Sequence, residues 1–207
     1  MKELQNLKWN TMPLDTRIKA VIFDEENHRY FYDGRELYGV TTVISKMLGK
    51  EFPHNDTVKL ATLYGSDVHK EVELYYNEGH RLSTEGAKWT VECLSDFASS
   101  FTDDYVNGIV CEVMVSDFKG TASKVDVVMH TSKGVYLFDI KTTSKFDREY
   151  CTLQLNSYRR LYEKNYGEKV LSMYVLSVKS RRLFHILEIA DEKTDSIFNA
   201  NIKRGTV

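Results

Sequence analysis

The chain has 207 residues, of which 42% are hydrophobic and only two are proline, so it is expected to form one folded domain and not a disordered segment. No stretch approaches the ~18 apolar residues of a membrane span. The N-terminal segment lacks the apolar run of a secretory signal, which predicts a cytoplasmic protein. Its three cysteines, Cys93, Cys111 and Cys151, form no CxxC pair, which argues against a disulfide framework, a four-thiolate zinc site or an iron–sulfur cluster.

The formal charge of −2 is unevenly distributed along the chain. Residues 1–118 carry 12 basic and 20 acidic side chains, whereas residues 119–185 carry 13 basic and 6 acidic ones. A basic excess of this kind is typical of a groove that binds nucleic-acid phosphates. An ordinary solvated face of lysines is the alternative.

In chain order, the first predicted elements are the strands of a hairpin. Residues 20–23 and 28–32 have strand-like composition and are separated by a polar turn, and Asp33-Gly34 is a second turn signal. The β-branched run 38–44 predicts another extended segment, which leads into a short helix.

Two longer helices are predicted next, from Asn55, Asp56 or Thr57 to about Asn77, and over about 84–102. Three consecutive strands are predicted over 109–115, 123–130 and 134–141, and a helix over 147–166 follows them. Two more strands are predicted over 170–178 and 183–189, and a short helix in the last 15 or so residues. This order predicts a single α/β (α+β) domain with a central mixed sheet flanked by helices. The predicted domain consists of an N-terminal extension (1–54), a core (55–189) and a C-terminal helix or tail (190–207).

The strongest chemical signal is the segment Asp139-Ile140-Lys141. Asp139 and Lys141 are two residues apart on a predicted strand, so both side chains leave the same face. A charged pair on an apolar strand is costly unless it forms a satisfied ion pair or serves chemistry. In the second case, Asp139 and the Ile140 backbone carbonyl offer oxygen ligands to a divalent metal, and Lys141 can polarise a nearby water molecule. Asp126 on the preceding strand can converge on the same cation, because two close carboxylates repel unless a cation or a shared proton intervenes.

These residues resemble the core of the PD-(D/E)XK nucleases, and in particular the RecB-like exonuclease branch with its CRISPR-associated and phage-encoded members. Residues 65–69 match the GxxxH motif of that branch, and residues 154–158 match its QLxxY motif. Residues 28–44 resemble the HxY…DG…SVT segment of phage relatives. The chain departs from the family at Ser123, where relatives usually have a glycine.

The resemblance implies a restriction-endonuclease-like core of αβββαβ order and a role for several side chains. His69 becomes a metal ligand, with a buried core histidine as the alternative, and its nitrogen suits Mn²⁺ better than Mg²⁺. Gln154 orients the lysine or water and Tyr158 contacts the DNA backbone, unless the two form a polar stripe over the sheet. Glu112 either reaches a second cation or faces solvent. Basic residues near the site are expected to contact phosphates along the strand: Lys145, Arg148, Arg159 and Arg160.

The function expected from these features is that of a DNA nuclease dependent on Mg²⁺ or Mn²⁺, and specifically an exonuclease acting at DNA ends in recombination, repair or phage DNA processing. One or two metal ions are expected, and no iron–sulfur cluster. The chain has no GxxxxGK[ST] loop, so no nucleotide cofactor is expected and any unwinding would come from a helicase or recombination partner. The alternatives are a catalytically silent protein that binds nucleic acid or a partner, and a site-specific endonuclease. Strandedness, polarity, the choice between DNA and RNA, and the oligomeric state stay open.

Overall fold

A computed structural model describes residues 13–50 and 56–199. Within these residues, eight strands form a mixed sheet that helices flank, as the sequence predicts. The elements are a 3-10 helix (Thr16–Ala20), β1 (Ile22–Asp24), β2 (Arg29–Tyr32), β3 (Arg35–Gly39), α1 (Val40–Met47), α2 (Asp56–Glu78), α3 (Glu85–Ser99), β4 (Val106–Ser116), β5 (Thr121–Thr131), β6 (Val135–Lys141), α4 (Arg148–Tyr166), β7 (Val170–Ser177), β8 (Arg182–Ile186) and α5 (Glu192–Phe198).

The sheet runs in the order β1-β2-β3-β5-β6-β7-β8, and β4 pairs with the other side of β5. The pairs β3/β5 and β6/β7 are parallel, and the other pairs are antiparallel. The long central strands confirm the three consecutive strands predicted before the long helix. Within the described part of the chain, none of the helices has the length and apolar character needed to cross a bilayer.

Strands β1, β2 and β3 form an antiparallel unit that we name the N-terminal meander (residues 22–39). Asp33 and Gly34 both have positive φ, 50° and 68°, as a tight two-residue hairpin turn of the type I′ class requires. The antiparallel pairing of β1 with β2 confirms the predicted hairpin, and the second predicted turn lies between β2 and β3. Strand β3 then pairs with the first residues of β5, with Tyr38 opposite Thr121, so the meander is anchored beside the start of β5.

The prediction of an extended run over 38–44 is wrong after Gly39, because the chain turns there into helix α1. Val40, Val43 and Ile44 recur at helical spacing and are fully or almost fully buried. Their burial in the core beside α4 outweighs the small helix penalty of β-branched residues.

Two apolar cores lie on opposite faces of the sheet. Helices α1 and α4 cover one face, where Val135 and Leu137 of β6 are buried, and α2 and α3 cover the other, where Phe138 and Ile140 are buried. The side-chain alternation predicted for β6 is therefore confirmed. Because β6 is covered on both faces, the polar side chains at its C-terminal end lie in a largely desolvated environment.

Most predicted helix ends agree with the structure. Thr84 caps α3 by accepting the N–H of Ala87, and Asp147 caps α4 by accepting the N–H of Tyr150. Helix α4 ends at Gly167, whose φ of 74° closes the last turn. The proposed cap at Asn55 lies outside the described residues, as do the last eight residues of the predicted C-terminal tail, 200–207.

Candidate active site

A cleft of about 970 Å³ opens between the N-terminal meander, helix α2 and the ends of β5 and β6. Most of the residues expected to carry chemistry line it: His69, Asp126, Asp139, Lys141, Gln154 and Tyr158. Glu112 on β4 also lines the cleft. Residues from five separate elements therefore reach one cavity.

His69, Glu112 and Asp126 each place one potential ligand atom within 4.8 Å of the others. The His69 ring is oriented by a 3.1 Å hydrogen bond between Nε2 and the carbonyl oxygen of Ile140. A neutral imidazole that donates from Nε2 keeps its lone pair on Nδ1, and that atom lies 3.7 Å from Oδ2 of Asp126. His69 therefore presents a metal-binding nitrogen to the two acids.

Asp126 is held in place by the backbone of the neighbouring strand. Its Oδ2 accepts the N–H of Ile140 at 2.7 Å. The last pair of the antiparallel ladder between β5 and β6 is Val127 with Phe138, and Phe138 lies two residues before Ile140. The carboxylate thus takes over a ladder hydrogen bond at the point where the two strands separate.

Glu112 occupies a strained position in the middle of β4. Its φ is 56°, a left-handed conformation that is unusual for a non-glycine residue in a strand. Burial, and repulsion from Asp126, raise the pKa of Glu112 to about 7, although Lys124 lowers it. Placing these two carboxylates side by side therefore costs free energy in the metal-free protein, and a divalent cation between them would remove the repulsion. The donor set of one imidazole and two carboxylates fits such an ion.

Asp139, Lys141 and Gln154 form a second polar group beside the first. The Lys141 ammonium lies 2.9 and 2.8 Å from the two oxygens of Asp139 and donates to Gln154 Oε1 at 3.2 Å. Gln154 Nε2 donates to Asp139 Oδ1 at 2.6 Å. Burial lowers the pKa of Lys141, but the charge of Asp139 outweighs it and raises that pKa well above its usual value. Lys141 therefore stays positively charged.

The structure groups the ligands differently from the expectation that His69, Asp126 and Asp139 share a cation. Glu112 joins His69 and Asp126, whereas Asp139 pairs with Lys141. Oδ2 of Asp139 is buried and lies 2.8 Å from the Lys141 ammonium in an ion pair, and among the described residues no hydrogen bond to this oxygen accompanies that pair. The Ile140 carbonyl, expected as a metal ligand, is engaged by His69.

The arginines expected to contact DNA are not among the cleft-lining residues. Arg159 pairs with three acids and Arg160 with two, and these acids lie on α4, between β8 and α5, and on α5. Both side chains face α5 and the end of β8, because α4 directs the glutamine and tyrosine of its motif toward the cleft instead. Lys145 and Arg148 are exposed, near the start of α4. None of these four residues lines the cleft.

Tyr158 is also placed differently from the expectation that it contacts DNA. It is only 2% exposed, and its hydroxyl bonds with Ser123 and Gln154. The predicted polar pair Gln154 and Tyr158 does share one helix face, but the tyrosine supports the glutamine inside the protein. Ser123 and Tyr30 complete this buried arrangement, and nothing in their sequence spacing indicates it.

The basic excess of residues 119–185 is not concentrated in the cleft. Lys70, Lys124 and Lys141 are its lysines, and its acids are Glu25, Asp67, Glu73, Glu112, Asp126 and Asp139. A phosphate could approach such a surface only with added positive charge, which a bound cation would supply. Lys124 was not predicted as a site residue, although its position two residues before Asp126 places both side chains on one strand face.

The arrangement combines a cation-binding group with a fixed ammonium a few residues away along the same sheet. That combination can polarise a phosphodiester and position a water molecule for attack.

In comparisons with known proteins, no protein-family model matches the chain, and no curated protein matches it.

Proposed function

We propose that the protein is a metal-dependent DNA nuclease of the PD-(D/E)XK type, acting as an exonuclease at DNA ends in recombination, repair or phage DNA processing. The observation that carries this proposal is the convergence of His69, Glu112 and Asp126 beside the Asp139–Lys141 pair in one cleft. The order of α3, β4, β5, β6, α4 and β7 also supports it, because this is the αβββαβ order that the resemblance implies.

His69, Glu112 and Asp126 would hold Mg²⁺ or Mn²⁺, with the Asp139–Lys141 pair beside them in the same cleft. When bound, the cation would act as a Lewis acid and neutralise charge on the phosphate. Lys141 would orient the attacking water and offset negative charge that develops on the phosphoryl oxygens. Gln154 and Asp139 hold that ammonium in one position, which removes the entropic cost of placing it during the reaction.

Substrate binding would depend on phosphate contacts and not on base recognition. Lys70 and Lys124 are the other two lysines that line the cleft, and both lie close to the proposed cation-binding group on α2 and β5. Lys124 is 3.6 Å from Glu112, so a metal ion that engages Glu112 would release this ammonium toward a phosphate. We therefore propose sequence-independent binding.

A cleavage assay with labelled DNA tests the proposal. Linear DNA labelled at the 5′ or the 3′ end and a closed circle are incubated with Mg²⁺ or Mn²⁺, and with EDTA as the metal-free control. We expect the linear molecules to be degraded and the circle to resist. Asp139→Ala and Lys141→Ala should abolish cleavage. Lys133→Ala, at an exposed lysine of the β5–β6 turn outside the cleft, is the matched control and should cleave normally.

The alternatives give different results in the same experiment. Unchanged cleavage by both site variants would refute the proposed site. Discrete plasmid fragments would indicate a site-specific endonuclease. Calorimetric titration with Mn²⁺ separates a binding protein from an enzyme, because a silent protein with a retired site would show neither metal uptake that depends on His69 nor cleavage.

A further inference from the structure

A line of two buried hydroxyl groups leads from β5 to the Gln154 side chain of the candidate active site. Ser123, 4% exposed on β5, donates from Oγ to the Tyr158 hydroxyl oxygen at 3.0 Å. Gln154 Nε2 donates to the same oxygen at 3.1 Å. Tyr158 is 2% exposed, so both bonds are shielded from water.

The donor directions of this line are fixed at Tyr158. Ser123 donates to the Tyr158 oxygen, which also accepts the amide N–H of Gln154. The phenolic oxygen therefore accepts two hydrogen bonds, one from β5 and one from its own helix.

The line matters because the two ends of the Gln154 amide are chemically different. With its NH₂ group held by Tyr158 and Asp139, Gln154 presents Oε1 to the Lys141 ammonium. A flipped amide would set two donors, the NH₂ group and the ammonium, against each other. Satisfied buried networks restrict their members to one arrangement.

We propose that Ser123 is a positioning residue that fixes the Gln154 amide, and through it the Lys141 ammonium, by donating to Tyr158. The serine stands where the resembled nuclease family usually has a glycine. The catalytic consequence rests on the proposed function, whereas the link between Ser123 and Tyr158 does not.

Kinetic measurements on hydroxyl-deleted variants test the positioning role. We expect Ser123→Ala and Tyr158→Phe each to lower kcat about tenfold with little change in KM, because a small misplacement of a catalytic group is costly. The double variant should be no slower than the slower single variant, since both remove the same link. Ser157→Ala is the matched control on α4: its buried hydroxyl donates to the Leu153 carbonyl, so we expect a loss of stability at unchanged kcat.

Wild-type kcat in Ser123→Ala, or kcat losses that multiply in the double variant, would overturn the proposal. Urea unfolding of the same four proteins tests the link without any substrate. Each single variant should lower the urea midpoint, and the double variant should lower it by less than the two shifts combined. If the wild type cleaves no phosphodiester, the proposed function fails, but the urea midpoints still test the link between Ser123 and Tyr158. Midpoint shifts that add in the double variant would refute that link. If Ser123→Ala does not fold, Ser123→Cys, whose thiol is a weaker hydrogen-bond donor, replaces it in the same comparison.

Discussion

Replacing Glu112 by glutamine is expected to make the metal-free protein more stable above neutral pH. The pKa of Glu112 rises from 4.5 to about 7 in the folded protein, chiefly through burial and secondly through Asp126. Glutamine keeps the size of the side chain and resembles the protonated acid. The variant therefore removes a buried charge that the folded protein tolerates poorly without a cation.

The sign follows from the order in which the two states lose their protons. As the pH rises from 4.5, the unfolded chain ionises first, while folded Glu112 keeps its proton up to about pH 7. The folded state then binds more protons than the unfolded state, so the free energy of unfolding falls across this window and is lowest above it. One pKa unit corresponds to about 1.36 kcal/mol, and since the side chain is 24% exposed we expect about 2–3 kcal/mol at pH 8.

Urea unfolding of the wild type and Glu112→Gln in EDTA, at several pH values between 4 and 8, measures this difference. The curves should converge at low pH and separate as the pH rises through 7. With excess Mn²⁺ the advantage of the variant should shrink or reverse, because binding to the folded wild type adds stability. A difference that does not change with pH, or a variant less stable than the wild type at pH 8, would refute the reasoning.

Three further substitutions test other parts of the structure. Lys141→Met leaves the buried Asp139 carboxylate without its counter-charge, so we expect cleavage to be lost and the free energy of unfolding to fall by about 2–4 kcal/mol, measured by urea unfolding. Arg160→Ala removes contacts with Thr194 and the acids beside it, so stability should fall by about 1–2 kcal/mol at normal cleavage; lost cleavage at unchanged stability would instead support a phosphate contact. Gly86→Ala would place a Cβ 2.5 Å from the Tyr64 hydroxyl and 2.8 Å from Val68, so we expect overpacking to lower stability by about 1–3 kcal/mol. Because Tyr64 and Val68 lie on α2, which also carries His69, Mn²⁺ binding measured by calorimetry should weaken as well. An unchanged melting temperature would contradict this packing.

Local sequence signals predict most of the elements because their causes are local. The Asp33-Gly34 turn, the Asp147 cap and the stop at Gly167 each depend on a residue with a specific backbone preference, and all three lie where the sequence places them. The segment that begins at Val40 does not follow its local preference. Its β-branched residues form a helix because the chain there has a core face to cover, which only the assembled fold provides.

For the candidate site too, the sequence predicts some features and not others. Motif spacing selects His69, Asp126 and Lys141, and the structure gathers them into one cleft. It does not predict the left-handed backbone of Glu112, which brings that carboxylate to the cation-binding group. Nor does it fix the rotation of α4, which turns Arg159 away from the cleft toward acids that are distant in sequence.

The hydrogen bond from the Ile140 N–H to Asp126 gives this carboxylate a structural role between β5 and β6, in addition to its proposed role as a metal ligand. Loss of that carboxylate would leave a backbone donor unpaired in a buried strand, at a cost of about 1–3 kcal/mol. His69, on the cleft side of α2, bonds to the Ile140 carbonyl oxygen, and a carbonyl that loses one partner is tolerated more readily than an unpaired N–H. In a lineage that gave up catalysis, we therefore expect the histidine to disappear early, while selection for folding alone would preserve the aspartate as a relic of the lost chemistry.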